Sequence, residues 1–223
     1  MRAYDTLPEI LRDAYGEDMS DSVHDSGNPW GDLYRANVAA ITRLASDLDD
    51  TGLATTVPGS PDWTVRDVLA HLAGGPADAL AGRMEGAPGP EWTARHVAER
   101  RGRPVEDLIG ELTANQDAVA ASTLDNPRPA IVWDLAVHHA DLHEALGLGV
   151  PPTPMWSPVL AAVAPMKFGA TQPPSEIEDY ELFRALFSRR SRSQMQAWGL
   201  PLSPDQLDDL CIFGPREDDQ PVP

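Results

Sequence analysis

Asp134 and His138 stand four residues apart in the segment Trp133-Asp134-Leu135-Ala136-Val137-His138-His139-Ala140-Asp141-Leu142, and His71 lies in a different apolar segment. On a helix that spacing stacks a carboxylate and an imidazole on one face, one turn apart. Two such donors aimed at one point are most of a zinc or transition-metal site, and His71 is the natural third ligand. Three protein ligands with open positions describe a catalytic metal rather than a structural one. With Asp134 at zero on a helical wheel, His138 falls at about 40° and Asp141 at about −20°, whereas His139 and His143 fall at about 140° and 180°. His139 and His143 are therefore read as surface or interhelical histidines. A lone histidine on an apolar face more often hydrogen-bonds a neighbour than binds a metal, so the joint occurrence of three donors carries the reading. Asp141 has two readings of equal weight: it fixes the tautomer of a ligand imidazole, or it bonds loop backbone and braces the fold.

The elements that must hold these donors are helical. From Gly31 to Leu48 the apolar residues Leu33, Ala36, Ala40, Ile41, Leu44 and Leu48 follow helical spacing. A second helix starts at Trp63-Thr64, with Thr64 as N-cap and Asp67 in the capping-box position. It carries His71 inward beside Val68 and Leu72, is weakened at Gly74-Gly75, and is ended by Gly86 to Pro90. Pro104 opens a third helix with the stripe Val105, Leu108, Ile109, Leu112 and Val119; a fourth runs from Ala130 to Leu146 and closes on Gly147. Strand signals are weak. Four helices of about 16–20 residues joined by polar loops predict an all-α four-helix bundle over residues 29–150. Residues 1–28 read as an extension that docks or frays. Residues 151–213 read as a helical C-terminal extension, with pieces at Val159–Lys167, Tyr180–Arg190 and Ser191–Trp198, and 214–223 as a disordered acidic tail.

Composition narrows the partners. A formal charge of −18 over 223 residues argues against nucleic-acid backbones and anionic membranes. No apolar run approaches the ~20 residues that span a bilayer, and no signal peptide is recognisable. Of the 17 basic residues only Lys167 is a lysine, a skew that suggests a GC-rich genome. Cys211 is the only cysteine, which excludes an internal disulfide and a Cys-x-x-Cys site. A cytoplasmic protein acting on a small molecule is expected.

The segment Pro58-Gly59 … Asp62-Trp63-Thr64-Val65-Arg66-Asp67-Val68-Leu69-Ala70-His71-Leu72-Ala73-Gly74 resembles the Trp-Thr/Ser-x-x-Asp-x-x-x-His helix of the mycothiol-dependent maleylpyruvate isomerase family, within the DinB-like superfamily. Trp133-Asp134 … Val137-His138 … Asp141-Leu142 … Ala145-Leu146-Gly147 resembles that family's fourth-helix signature. Less specific likenesses lie at Glu91-Trp92 … Val97-Ala98-Glu99-Arg100-Arg101 and across Asp179 to Trp198. The resemblance implies a DinB-like bundle in which His71, Asp134 and His138 hold a divalent metal, usually zinc. The family usually has Glu at the position of Asp134; the shorter side chain sets the metal closer to the fourth helix or leaves a gap for a water. The resemblance further implies mycothiol, the thiol of actinobacteria, bound at an open metal position as a thiolate.

Three functions follow, in descending weight. The first is a metal-dependent thiol enzyme that adds mycothiol thiolate to an electrophile, as an S-transferase or a cis–trans isomerase. The second is a thiol-independent metal hydrolase or cyclase acting on a biosynthetic intermediate. The third is a non-catalytic small-molecule-binding bundle with a degenerate metal site. The part after residue 150 is too short for the second α/β domain of some family members, which counts against the isomerase assignment more than against the fold. Arg184, Arg190 and Trp198 are weak candidates for binding the cofactor or an anionic substrate at the bundle mouth, with helix packing and salt bridges the commoner use of such residues.

Overall fold

Asn28 starts the first helix by accepting a hydrogen bond from the Gly31 N–H at 3.1 Å, with Pro29 in the first turn where no amide donor is missed. This helix, α1 (Pro29–Ser46), buries Trp30, Leu33, Tyr34, Val38, Ile41 and Ala45 along one face. The computed structural model describes residues 27–169 and 173–223; the expectation for 1–28 lies almost wholly outside the described residues. A short helix, α2 (Asp50–Leu53), leads into a two-stranded antiparallel hairpin, β1 (Thr56–Val57) and β2 (Ser60–Thr64). The sequence reading assigns no strand here. Strands this short, with Pro61 inside one of them, carry no alternation to detect.

The predicted capping box forms. Thr64 Oγ1 accepts from Asp67 N–H, the Asp67 carboxylate accepts from Thr64 N–H at 2.9 Å, and α3 runs Val65–Ala81. It continues through Gly74, Gly75 and Pro76 and stops at Gly82, whose φ of 72° is left-handed, before the predicted Gly86–Pro90 break. An unpredicted helix, α4 (Pro90–Arg100), packs on α3. Gly74 permits the approach, because a Cβ there would sit 2.6 Å from the His96 Cβ. Helices α5 (Val105–Ser122) and α6 (Ala130–Leu146) follow the predicted boundaries, α6 closing on Gly147 with φ 65°. Helices α1 and α3 each pack against both α5 and α6, which makes the four-helix bundle.

The C-terminal region is helical, as predicted: α7 (Ser157–Phe168), α8 (Asp179–Leu186), α9 (Arg192–Gln196) and an unpredicted α10 (Pro204–Leu210) with a Ser203/Gln206 capping box. Val159, Val163, Phe183, Leu186, Met195 and Leu207 join the bundle residues in one continuous core. Residues 214–223 depart from the expected disordered tail. The Arg216 guanidinium donates to the carbonyls of Gly59 at 3.1 Å, Pro58 at 3.2 Å and Ser188 at 3.3 Å, while Gln194 Nε2 donates to the Gln220 carbonyl at 2.7 Å. An acidic composition does not free a segment whose Arg216 donates to three backbone carbonyls and whose Gln220 carbonyl accepts from Gln194.

Candidate metal centre

Helix α3 brings His71 and helix α6 brings Asp134 and His138 to one point, where their donor atoms all lie within 4.8 Å of one another. His71 Nε2 is 3.2 Å from Asp134 Oδ2, and His138 Nε2 is 3.6 Å from Asp134 Oδ1. An ion about 2.0–2.1 Å from each donor sets tetrahedral neighbours about 3.3–3.4 Å apart, so these spacings fit a small divalent cation. The Asp134 side chain, though shorter than a glutamate, reaches His71 directly. Both imidazoles are buried, whereas Asp134 is 46% exposed, so the group opens to solvent through its carboxylate. Desolvation pushes the Asp134 carboxyl up, but His71 and His138, with the hydrogen bond to His71, outweigh it and bring its pKa to about 2. A carboxylate held ionised beside two imidazoles is a donor set for zinc or a similar metal.

Each imidazole is steadied from behind. His71 Nδ1 lies 3.1 Å from His96 Nδ1, and His96 Nε2 lies 3.2 Å from Asp78 Oδ2. One proton arrangement satisfies both contacts: His71 Nδ1–H donates to His96, and His96 Nε2–H donates to Asp78. With a cation bound, that arrangement would aim the Nε2 lone pair at the ion; without one, the 3.2 Å Nε2–Asp134 hydrogen bond calls for a proton on Nε2. Burial, then the nearby His71, hold the His96 pKa down at about 4. Asp78 is fully buried and paired with Arg95 at 2.5 Å and with Arg83. On the other ligand, His138 Nδ1 lies 2.9 Å from Asp141 Oδ2, out of line for a straight hydrogen bond. Arg184 at 2.5 Å and Arg189 at 2.9 Å hold the same Asp141 carboxylate. Asp141 thus lies against the imidazole without a formed hydrogen bond to it, and it ties two elements together through arginine side chains rather than loop backbone.

His139 and His143 stay outside the cluster. His139 is buried against Asn37 Oδ1 at 2.8 Å, and His143 faces the Gly149 carbonyl at 3.2 Å. Arg184 and Arg190 do not reach the bundle mouth. Both are fully buried, with Arg184 paired to Asp141 and Glu144 and Arg190 to Glu144 and Glu181. Trp198 packs against the core. A buried guanidinium needs carboxylates on its planar fork, and those of α6 and α8 claim it. His96, Asp78 and Tyr34 escape sequence reasoning. The available signal was the run Trp92, His96, Val97 and Arg100, whose helical spacing marks the buried face of α4.

The donors lie in a cleft of about 760 Å³ lined by Tyr34, Trp63, Trp92, Trp133, Met84, Met166, Phe187, Ile212 and Phe213 among others. Trp63 is tilted against His71 and His138, with ring centroids 5.1 and 6.1 Å away. Arg189 and Lys167 are the cationic residues of the lining. Among the described residues no helix is long and apolar enough to cross a membrane.

The sequence model of the family described as mycothiol maleylpyruvate isomerase N-terminal domain matches residues 34–169, a span that contains α1 from Tyr34 through α7 and all three candidate donors. No curated protein and no solved structure matches the chain.

Proposed function

Because the chain belongs to the mycothiol maleylpyruvate isomerase N-terminal domain family, part of the DinB-like superfamily, we propose that it is a metal-dependent enzyme presenting mycothiol thiolate to an electrophilic small molecule, as an S-transferase or a cis–trans isomerase. The observation that carries this reading is the convergence of His71, Asp134 and His138 in an apolar cleft. When bound there, a divalent ion, zinc by this donor set, lowers the pKa of a coordinated thiol and holds it as thiolate at neutral pH.

The chain's own residues do the rest. His71 and His138 offer their Nε2 atoms, oriented from behind by His96 and Asp141. Asp134 supplies the negative charge that draws a cation to the site. Trp63 is tilted against both imidazoles and places apolar surface beside the donors. The apolar walls leave the sulfur less solvated and so a stronger nucleophile. A thiolate held there would add through sulfur to an electron-poor C=C, whose π pair would pass to the conjugated carbonyl oxygen. Protonation of that enolate would keep the adduct (transfer), whereas rotation about the new single bond and expulsion of the thiolate would restore the C=C (isomerisation).

Elemental mass spectrometry on the purified protein, followed by calorimetric titration of mycothiol into the zinc-loaded form, tests the reading. About one zinc per chain and saturable thiol binding are expected. His71→Ala and His138→Ala should each abolish the stoichiometric metal, and His143→Ala should not. Full metal retained by the His71 variant overturns the ligand set. Metal without thiol binding moves the protein to the thiol-independent hydrolase or cyclase.

A further inference from the structure

The walls of the cleft carry more apolar surface than a small polar electrophile needs. Among the described residues nine large hydrophobic side chains are exposed, and four of them, Met84, Met166, Ile212 and Phe213, line this one cleft. They come from three separate places: the α3–α4 connection, α7, and the segment after α10. Phe213 is 64% exposed. Exposed apolar side chains converging on one concavity mark a binding surface rather than chance exposure. Methionine is unbranched and polarizable, so the two methionines let the rim adapt to more than one apolar shape.

Charge in the lining points the same way in a chain of net −18. Arg189 is already paired with Asp141 through two nitrogens, at 3.2 and 2.9 Å. Lys167 is not. Its Nζ donates to the Asp209 carbonyl at 2.8 Å, and no carboxylate of the described residues lies within ion-pair distance of it. An ammonium has three donors, so this one has two left for a ligand. The only carboxylate of the lining is Asp134, which a divalent cation would more than neutralise. Two further donors lack partners among the described residues: Tyr34 Oη, on a residue with no exposed surface, and Trp133 Nε1. Both residues line the cleft. A buried donor left unpaired is costly, and a polar ligand atom removes that cost.

We propose that the electrophile acted on in this cleft is an amphipathic monoanion, its apolar body against Met84, Met166, Ile212 and Phe213 and its acid group paired with Lys167. The proposal rests on reading the cleft as the reaction site, and it names a substrate class that the metal centre does not specify. A short dicarboxylate would leave the apolar rim bare; a neutral hydrocarbon would leave Lys167 unpaired.

The test uses 4-phenylbutyrate, its alcohol 4-phenylbutan-1-ol and maleate as probes, titrated calorimetrically into the full chain both zinc-loaded and stripped with chelator. The stripped arm reads the cleft alone, so failure to bind metal would sink the metal-centre reading without touching this one. In the stripped protein the acid should bind about five- to tenfold more tightly than the alcohol. Lys167→Gln should erase that difference and leave alcohol binding unchanged. Phe213→Ala, at an exposed position that spares the core, should weaken both about fivefold. Preference for maleate, or no binding of either phenyl compound, overturns the apolar class. A preference for the acid that appears only with zinc and survives Lys167→Gln shows the carboxylate capping the metal, and overturns the Lys167 subsite.

Discussion

With Nε2 turned toward Asp134, His71 leaves its second nitrogen to His96, and His96 passes the constraint on to Asp78. All three side chains are buried, so no water competes for these bonds. With a cation on Nε2, the consequence would be a fixed tautomer. A histidine that must donate at Nδ1 cannot also carry its proton at Nε2, and its ring cannot flip without stranding a buried donor. His96→Phe keeps volume and apolar contact with Trp92 but removes the acceptor. The variant should fold, and its affinity for zinc should fall about 10- to 100-fold, read by competition with a chromophoric chelator. Unchanged affinity would mean that His96 only fills space. His138 Nδ1 lies 2.9 Å from Asp141 but out of line for a hydrogen bond, and that carboxylate is held by two arginines.

The relay depends on how closely α4 approaches α3, and that approach is written into one glycine. A Cβ on Gly74 would lie 2.6 Å from the His96 Cβ, 2.7 Å from its Cγ and 2.8 Å from Arg100 Nη1. Arg100 is itself fixed by Glu111 at 2.6 Å, so α4 has little freedom to yield. Gly75, one residue on, has its nearest neighbour at 3.6 Å, in Trp92. Gly74→Ala should therefore destabilise by about 1–3 kcal/mol through overpacking, while Gly75→Ala should be neutral or stabilising by up to about 1 kcal/mol from helix propensity. Urea denaturation of the two variants checks the contrast, and equal behaviour would remove the close approach as the reason for Gly74. The same pair shows what sequence reasoning could reach. Both glycines read as weak points of a helix, because the reason for Gly74 lies on an element with no recognisable apolar stripe. The buried face of α4 is made of Trp92, His96, Val97 and Arg100, whose helical spacing is readable but mostly polar, so an apolar-stripe reading passes over it. The capping box at Thr64 and Asp67, the stop at Gly147 and the facing of Asp134 with His138 are local, and all were legible. Arg184 and Arg190 take the salt-bridge role that the sequence reading held the commoner one; which carboxylates they pair with was not legible, because Glu144 lies 40 and 46 residues away on α6.

At the scale of the whole molecule, the C-terminal region and the candidate metal centre are joined through Asp141. This carboxylate touches His138 on its own helix, and Arg184 and Arg189 from the C-terminal side. Gly59 admits it, since a Cβ there would lie 2.6 Å from Asp141 Oδ1, and the Gly59 carbonyl in turn receives Arg216 from the final segment. Burial alone would raise the Asp141 pKa, but Arg189, Arg184 and His138 together hold it well below the ordinary carboxylate range. A carboxyl with a depressed folded-state pKa contributes stability that is fully present above its unfolded value, about 3.9, and is lost as pH falls toward the folded value. Below about pH 4 the unfolded chain gains protons that the folded one refuses, and stability drops. Asp141→Asn removes that titration and leaves two buried guanidinium groups short of a partner, a loss of about 3–5 kcal/mol. The variant should melt well below the wild type at pH 7, and the gap should narrow as both are taken toward pH 3, because the wild type progressively gives up the same interaction. A gap that stays constant with pH would show that Asp141 acts by packing alone, and that the C-terminal region is held to the bundle by its apolar contacts rather than by this shared charge.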